Sequence, residues 1–439
     1  MSAAGHLEPS PVRNAWGLLL VLTLLNVINF ADRYLIIAFS TRIVPELGLS
    51  NLQFGLLTGI MFTLVYTLFG LFLGSLADRV HRPRLIAAGL ALWSALTAAS
   101  GQAGNFLQMA LARMFVGVGE AALSPAALSM LADRFQPAQR ALANGIYYLG
   151  IPIGIGGSFI LASVLGPLLG WRGSFAALGL IGIVAAVLIA WRLPDRARSN
   201  SLKAPFSGSF KVSLAWIGHE LAHNRPFLLI LLGCIAATCV QGAAVLDLLW
   251  WVRERDYDER SAQQLNGALF LAGGVFGSVV GGMAADAAQA RTANGRLKFL
   301  GYAFAIGIPL MLLFRTIPAQ SPAFLPLAFL GNAVFMLLYG PALASLIEIV
   351  PAAHRAATVA LFILVTSLIG SASGSALVGL LADLFLAYGH AEPITLAIIA
   401  TQSIGLLAVP AFLLAASWLP TSRNTARAPA TATATPEGS

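Results

Sequence analysis

Residues 125–140 read PAALSMLADRFQPAQR, and residues 341–355 read PALASLIEIVPAAHR, which repeats the same pattern in the second part of the chain. A shorter pair of segments, GSLAD at 74–78 and GMAAD at 282–286, recurs at a similar separation. In each segment an apolar run ends at an acidic residue, and basic residues follow it. Such internal repeats predict two structurally equivalent halves with the same order of elements.

The composition indicates the solvent in which these halves fold. Of the 439 residues, 58% are apolar and only 10% are charged, with a mean hydropathy of +0.81. No single globular core could bury that much apolar sequence, so we predict an all-α protein of the lipid bilayer. The net charge of +8 does not indicate nucleic acid as a partner, because the 26 basic residues form no stripe with interleaved aromatic residues.

Twelve apolar runs are long enough to cross a bilayer, which takes about 20 residues of helix. They divide six and six around the polar interval 194–225, which gives an N-terminal half at 1–193 and a C-terminal half at 226–420. Apolar residues recur at spacings of three and four inside that interval and predict an amphipathic linker helix. The Ala/Thr/Pro-rich tail, 421–439, is predicted to be disordered. The predicted membrane helices cover roughly 15–41, 54–77, 84–102, 106–133, 140–166, 171–192, 226–252, 262–286, 297–315, 322–350, 356–386 and 393–419.

The distribution of Lys and Arg predicts the orientation of these helices. Eighteen of the 26 lie at the termini or in the loops after helices 2, 4, 6, 8 and 10, whereas six, among them Arg42, Arg172 and Arg315, are assigned to loops on the opposite side. Basic residues accumulate on the cytoplasmic side of a membrane. Both termini are therefore predicted to be cytoplasmic, in the cell membrane, or in the inner membrane if the protein is bacterial. The remaining two, Arg33 and Arg113, fall inside predicted helices.

Helix 1 contains NVINFADRYLII, residues 26–37, in which Asp32 and Arg33 stand side by side in an apolar run. An Asp or Arg at the centre of a membrane helix costs about 2.5 to 3.5 kcal/mol, so both residues need compensating partners. Adjacent helical positions point about 100° apart, and the two side chains therefore serve each other poorly. Their partners are predicted to lie on other helices.

Helix 4 contains RMFVGVGEAA, residues 113–122, which supplies the second acid and base. Arg113 and Glu120 are seven positions apart, so they share a face and stand about 10 Å apart along the helix axis. Gly117 and Gly119 between them allow a neighbouring helix or a substrate to approach closely. An intramembrane ion indicates a functional site by default, although a purely structural ion pair is the alternative. Arg113 and Glu120 are the predicted partners of the helix 1 pair.

The segment GSLADRVHRPR, residues 74–84, follows helix 2, and its first part is repeated as GMAAD at the end of helix 8. The acid at each helix end can compete for a helix N-terminus and for basic partners, which predicts a gate at the cytoplasmic face. The alternative is an ordinary loop whose positive charge only sets topology. The predicted gating residues are Asp78, Arg79, Arg82, Arg84, Asp133, Arg140 and Asp286.

Three segments together resemble the spinster family of the major facilitator superfamily. They are FADRY in helix 1, RMFVGVGEAALSPAALSMLADRF in helix 4 and NGIYYLGIPIG in helix 5, and the resemblance is dense over residues 26–175. It implies the major facilitator fold, with 12 transmembrane helices in two six-helix halves. It also implies a proton-linked mechanism and a substrate of the lysophospholipid or sphingosine-1-phosphate class. By position, it assigns coupling or binding roles to Asp32, Arg33, Arg113 and Glu120.

The residue chemistry agrees with a proton-coupled carrier of an amphiphile. All six histidines fall in predicted loops or tails, so the proton-coupling residues are predicted to be the intramembrane carboxylates Asp32 and Glu120. The cavity is predicted to be charged on its N-terminal wall and mainly apolar on its C-terminal wall, where an alkyl chain would lie. Arginine can bind a phosphate head group through two hydrogen bonds. The predicted substrate-binding residues are Arg33, Arg113, Glu120, Asn332 and Tyr339.

Two other functions remain open at this stage. GIPIGIGG, residues 150–157, is similar to the Gly-Pro signature of antiporters in this superfamily, with its spacing stretched by one residue, and favours a multidrug or small organic-anion/proton antiporter. The same residues also fit a flexible, glycine-lined helix contact. A membrane receptor that binds ligand without moving it is the second rival. We predict no enzyme, cofactor or metal site, because no nucleophile and base pair or ligand cluster stands out, and we predict a monomer.

Overall fold

The computed structural model describes residues 15–77, 80–193, 206–351 and 354–419, and within these ranges the chain is helical with no strand. The predicted tail at 421–439 lies outside the described residues. We call the helix ends that carry the loops after α2, α4, α8 and α10 the inner ends, following the charge-based prediction, and the opposite ends the outer ends. The membrane helices are α1 (Ala15–Ala38), α2 (Asn51–Thr58 with Ile60–Ala77), α3 (Arg82–Ser100), α4 (Phe106–Glu120 with Leu123–Arg134), α5 and α6 (Pro137–Tyr148 with Gly150–Arg192), α7 (Arg225–Ala243 with Ala244–Leu246 and Asp247–Arg253), α8 (Glu259–Arg291), α9 (Gly295–Thr316), α10 (Phe324–Met336 with Tyr339–Glu348), α11 (Arg355–Leu364 with Val365–Ala372 and Ser373–Ala387) and α12 (Pro393–Ser403 with Ile404–Leu407 and Ala408–Trp418).

Ten segments of the described chain are long and apolar enough to cross a membrane, and two details reconcile this number with twelve helices. The candidate Leu142–Arg192 has 51 residues, more than twice what one span needs. Gly170 interrupts it with φ 65° and ψ 179°, a conformation that only glycine adopts readily, so α5 ends and α6 begins there. The helix Arg82–Ser100 supplies the twelfth span; it carries both Arg82 and Arg84 in its first turn.

Proline explains where the two repeats bend. A proline has no N–H for the carbonyl four residues earlier and its ring clashes with that carbonyl. In α4 the helix is interrupted at 121–122, four residues before Pro125, and in α10 it is interrupted at 337–338, four residues before Pro341. The repeated Pro-Ala segments therefore place equivalent breaks in the two halves. Glu120 is the last residue of the first part of α4, directly at its break.

The apolar cores are arranged differently at the two ends of the molecule. One core joins outer-end residues of both halves, such as Phe54 with Val378 and Phe159 with Trp250 in the same cluster. At the inner ends each half has its own core, one around Trp93 of the N-terminal half and one around Phe412 of the C-terminal half. Among the described residues, the halves thus share an apolar core at their outer ends and have separate cores at their inner ends.

A helix, Phe206–His223, occupies the linker between the halves. Its Trp216 stacks on His354 at the start of α11, with ring centroids 4.5 Å apart, and contacts Phe227 of α7 edge-on at 6.1 Å. These contacts attach the linker helix to the inner end of the C-terminal half.

Candidate functional site

The centre of the N-terminal half holds a buried ion pair between α1 and α4. The Arg33 guanidinium donates two hydrogen bonds to one carboxylate oxygen of Glu120, from Nε at 3.0 Å and from Nη2 at 2.8 Å. The Glu120 side chain is fully buried, whereas 21% of the Arg33 side chain is exposed. The sequence-based prediction that Glu120 pairs with Arg33 is confirmed. Part of the Arg33 side chain thus remains accessible, whereas the Glu120 side chain does not.

Aromatic rings enclose the cation of this pair. The Arg33 Cζ atom lies 4.9 Å from the ring centre of Phe30, 4.5 Å from that of Phe62 and 4.6 Å from that of Tyr66. A desolvated cation over an aromatic face gains about 2 kcal/mol. The rings therefore help to stabilise the arginine in an apolar setting.

Arg113 lies beside this pair, and only one of its three guanidinium nitrogens has a hydrogen-bond partner among the described residues. Its Nη2 donates to the backbone carbonyl of Arg33 at 3.1 Å, while its Nε and Nη1 are buried without a hydrogen-bond partner among the described residues. The side chain is 1% exposed. A buried donor without a hydrogen-bond partner raises the free energy of the folded protein. Arg113 can therefore donate to an oxygen atom of a ligand.

Asp32 points away from Arg33 toward α3. The Thr97 hydroxyl donates to the Asp32 Oδ2 at 2.6 Å, and the Oδ1 has no hydrogen-bond partner among the described residues. The expectation that Asp32 and Arg33 have partners on other helices is confirmed, but the hydrogen-bond partner of Asp32 among the described residues is Thr97 and not the predicted Arg113 or Glu120. Thr97 was missed, because a lone threonine in an apolar helix carries no recognisable sequence signal.

The two predicted C-terminal residues lie in different places. The Tyr339 hydroxyl donates to the Gln241 Oε1, which joins α10 to α7. Asn332 donates to the carbonyl of Ala328 at 3.0 Å and lines a cavity inside the C-terminal half. Asn332 therefore belongs to a polar site separate from the ion pair of Arg33.

The predicted gating residues within the described ranges bind inside their own halves. Arg82 of α3 pairs with Asp133 of α4 at 2.5 Å. In the C-terminal half, Arg296 of α9 pairs with Asp286 of α8 at 2.8 Å and also with Glu348 of α10. Asp78 and Arg79 lie outside the described residues. Arg84 lies in the first turn of α3, where its backbone N–H donates to the His81 Nδ1, and the Arg140 side chain donates to the Phe135 carbonyl. A gating role for this set stays a prediction for a conformation in which the inner ends meet.

Hydrogen bonds between the halves are found at the outer ends. Asp383 of α11 accepts from the backbone N–H groups of Asn51 and Leu52 at 3.0 and 2.8 Å, and thereby caps the N-terminus of α2. Arg42 lies in the short helix Ser40–Glu46 that follows α1, and it pairs with Glu259 of α8 at 2.9 Å. The sequence analysis placed Arg42 in an outer loop and predicted no partner for any of these residues, since a cap supplied from the other half leaves no local pattern.

Backbones of opposite halves also meet directly between α2 and α11. A Cβ atom added at Gly55 would lie 2.1 Å from the carbonyl oxygen of Ser375, and one added at Gly59 would lie 2.8 Å from that of Ala372. Such distances exclude any side chain, so the glycines allow the outer ends to close.

We expect Gly55→Ala to separate the outer ends of the two halves. Spin labels at the exposed outer residues Gln102 and His390, in a chain whose Cys234 and Cys239 are replaced, would report a longer distance by electron paramagnetic resonance. Gly17→Ala is the matched control, because a Cβ there meets nothing within 4 Å. An unchanged distance distribution in the Gly55 variant would show that this contact does not hold the outer face closed.

A second buried ion pair lies in the C-terminal half and corrects the sequence-based assignment. Arg315 was placed in an outer loop, but it lies in the last turn of α9 with its side chain 4% exposed, where it pairs with Asp247 of α7 at 2.7 Å. The Arg315 Cζ also lies 4.5 Å from the ring centre of Trp250. Because Arg315 stands at the end of a predicted helix, the sequence suggested that it lies in a loop. In the structure, its aromatic and acidic neighbours hold it inside the helix bundle.

Taken together, the two halves, the proline-broken repeats and the buried central charges are the architecture of a polytopic membrane transporter. The family model of the Major Facilitator Superfamily matches residues 22–375. The chain belongs to the Major Facilitator Superfamily, whose members are transporters and not enzymes.

Curated relatives cover most of the chain at modest identity. The chain is 27% identical over 383 residues to an MFS-type efflux pump of Mycolicibacterium smegmatis, covering 86% of this chain and 87% of that protein. It is 26% identical over 398 residues to Protein spinster of Drosophila melanogaster, covering 87% of this chain and 64% of that protein. The Sphingosine-1-phosphate transporter SPNS2 of Mus musculus is 25% identical over 386 residues, covering 83% of this chain and 69% of that protein.

Solved structures support the fold. A bacterial homologue of the human lysosomal transporter spinster, in an inward-facing and unoccupied conformation, superposes with a TM-score of 0.81 at 24% identity, covering 93% of this chain and 98% of that chain. The nucleoside transporter NupG, as a D323A mutant, gives a TM-score of 0.75 at 12% identity, covering 91% of this chain and 99% of that chain. At these identities the likeness concerns the fold alone.

Proposed function

We propose that this transporter moves a lysolipid-like amphiphile, of the lysophospholipid or sphingosine-1-phosphate class, by proton-coupled alternating access. The observation that carries the proposal is the buried pair of Arg33 and Glu120 next to the uncommitted donors of Arg113. One arginine is held by a carboxylate that a proton can neutralise, and the other can receive a ligand oxygen. Because a proton on Glu120 would free Arg33 for an anionic head group, proton binding and head-group binding at this cluster would be coupled.

The proposed transport cycle follows from which charged side chains of this cluster pair with each other. With Glu120 ionised, Arg33 is paired and the head group has only Arg113 to bind. When Glu120 takes a proton, Arg33 loses its counter-charge, and a phosphate oxygen can replace the carboxylate. Asp32, held by Thr97, is the second carboxylate in the cluster, and we propose that it modulates the same exchange. Asp78, Arg79 and the other inner-end charges would then close the inner face.

The apolar part of the substrate is supported by comparison of the repeats. When Pro125 is aligned with Pro341, Glu120 aligns with Met336 and Arg113 aligns with Phe329. The C-terminal half thus has apolar residues at the positions where the N-terminal half has its charges. A site charged on one wall and apolar on the other suits a molecule with a phosphate head group and an alkyl chain.

Topology and location belong to the same proposal. We propose that both termini are cytoplasmic, that the transporter acts as a monomer, and that it resides in the cell membrane, or in the inner membrane if it is bacterial. The shared outer core and the separate inner cores support a conformation closed to the outside. Labelling of a cysteine introduced near either terminus in intact cells would test the orientation.

The substrate class can be tested by ligand-dependent stabilisation of purified protein in lipid nanodiscs. We expect a long-chain lysophospholipid to raise the melting temperature, and the corresponding glycerophosphodiester, which lacks the acyl chain, to have no effect. We expect Arg113→Gln to weaken binding about ten- to a hundredfold, since a hydrogen bond to a charged group contributes about 1.5 to 3 kcal/mol. Arg260→Gln, at an exposed position of α8, is the matched control. Equal stabilisation by the glycerophosphodiester would contradict the proposal.

The second candidate is a multidrug or small organic-anion/proton antiporter. It is favoured by the similarity to the M. smegmatis efflux pump and by the Gly-Pro segment of α5. In the described structure that segment makes helix contacts, because Gly154 packs on Val27 and Phe30 of α1, and Gly156 packs on Gly267 of α8. Stabilisation by cationic drugs or hydrophilic organic anions, but not by lysolipids, would favour this candidate.

A further inference from the structure

The interior of the C-terminal half contains a polar cavity that the transport cycle proposed above does not use. It has a volume of about 30 Å³ and lies among α7, α8, α9, α10 and α12. Its polar lining consists of Asp247, Asn266, Arg315, Asn332 and Gln402. These five residues come from five different helices, and we call them the C-half polar cluster.

Three members of the cluster are almost fully buried and have unpartnered atoms. Arg315, Asn266 and Gln402 are 3%, 2% and 1% exposed. Among the described residues no hydrogen-bond partner is found for the Nε and Nη1 of Arg315, the Nδ2 of Asn266 or the Oε1 of Gln402. A buried polar atom left without a partner costs about 1 to 3 kcal/mol, and four such atoms around one cavity call for a common ligand.

The chemistry of these atoms selects the kind of ligand. Three of the four atoms are donors and one is an acceptor, so the ligand must both accept and donate hydrogen bonds. An additional anion is disfavoured, because Asp247 already neutralises Arg315 at 2.7 Å. An additional cation is disfavoured by the three donors. A small neutral molecule with both functions remains.

We propose that the C-half polar cluster is a hydration site that holds ordered water. A buried water needs about 10 to 15 Å³ and two to four polar partners, so the cavity has room for about two. Water accepting from Arg315 and Asn266 and donating to Gln402 joins α9 to α8 and α12. Together with the direct bond from Arg315 to Asp247 of α7, it makes these four helices one hydrogen-bonded unit.

The proposal is tested by whether a variant that cannot bind the water has a lower or a higher melting temperature. Gln402→Met keeps the length of the side chain and removes the acceptor. If water bonds Gln402, the variant loses that bond and its melting temperature falls by several degrees. If the cavity is dry, the variant removes an unsatisfied buried group and its melting temperature stays or rises, which would overturn the proposal. Asn266→Leu should lower the melting temperature in the same way.

Thr401→Val is the matched control on the same helix. Its hydroxyl is buried and donates within α12, to the carbonyl of Ala397 at 2.9 Å, so its loss should affect stability equally little with or without water in the cavity. A high-resolution structure of the unmodified protein provides an independent measurement. Solvent density within hydrogen-bond distance of both Arg315 and Gln402 is expected, and a cavity without such density would overturn the assignment.

Discussion

Glu120→Gln is expected to reduce pH-gradient-driven uptake by about ten- to a hundredfold and to remove its pH dependence. Glutamine resembles the protonated acid in shape but cannot be ionised, so Arg33 is never held by a charged partner. The size of the effect corresponds to the roughly 1.5 to 3 kcal/mol that a charged hydrogen bond contributes. The measurement is uptake of a fluorescent lysophospholipid into proteoliposomes over a series of external pH values.

The matched control for this variant is Glu392→Gln. The Glu392 side chain is 51% exposed and pairs with Arg255 at an outer end, and a surface ion pair contributes only about 0 to 1 kcal/mol. This variant should transport at nearly the rate of the unmodified protein. Uptake by Glu120→Gln with unchanged rate and pH profile would refute the role of Glu120 in coupling.

Arg315→Leu is expected to destabilise the protein by about 3 to 5 kcal/mol, because it leaves the buried carboxylate of Asp247 without its counter-charge. The double variant Asp247→Leu with Arg315→Leu removes both charges and should recover most of that loss. Thermal or denaturant-induced unfolding of the two single variants and the double variant gives the coupling energy directly.

Arg260→Leu makes the same substitution at an exposed position of the same half and should change stability by less than about 0.5 kcal/mol. If Arg315→Leu were as mild as this control, Arg315 and Asp247 would not form a buried pair in the folded protein. If the double variant were no more stable than Arg315→Leu, the loss would come from packing and not from the unpaired charge.

The fold and part of the site could be predicted from the sequence. Apolar runs separated by basic loops give the helices, and the repeated Pro-Ala segments give the two halves. The seven-residue spacing of Arg113 and Glu120 gives their common face. The pair of Arg33 and Glu120 could be inferred because a charge inside the membrane needs a partner and few candidates exist.

Other contacts could not be predicted because they arise only in the folded bundle. Asp247 and Arg315 are 68 positions apart, and each lies near a helix end, where a charge normally reaches water. Asp383 caps a helix of the other half, so the local sequence around it contains no capping pattern.

The central claim is that protonation of Glu120 controls the binding of an amphiphile's head group to the charged cluster of the N-terminal half. The most direct measurement is simultaneous recording of lysophospholipid and proton movement in proteoliposomes under an imposed pH gradient, with and without a protonophore. The account predicts that uptake follows the gradient, is accompanied by proton flux, and loses both when Glu120 is replaced by Gln. Equal uptake with and without the gradient, or tight binding with no lipid crossing, would contradict it.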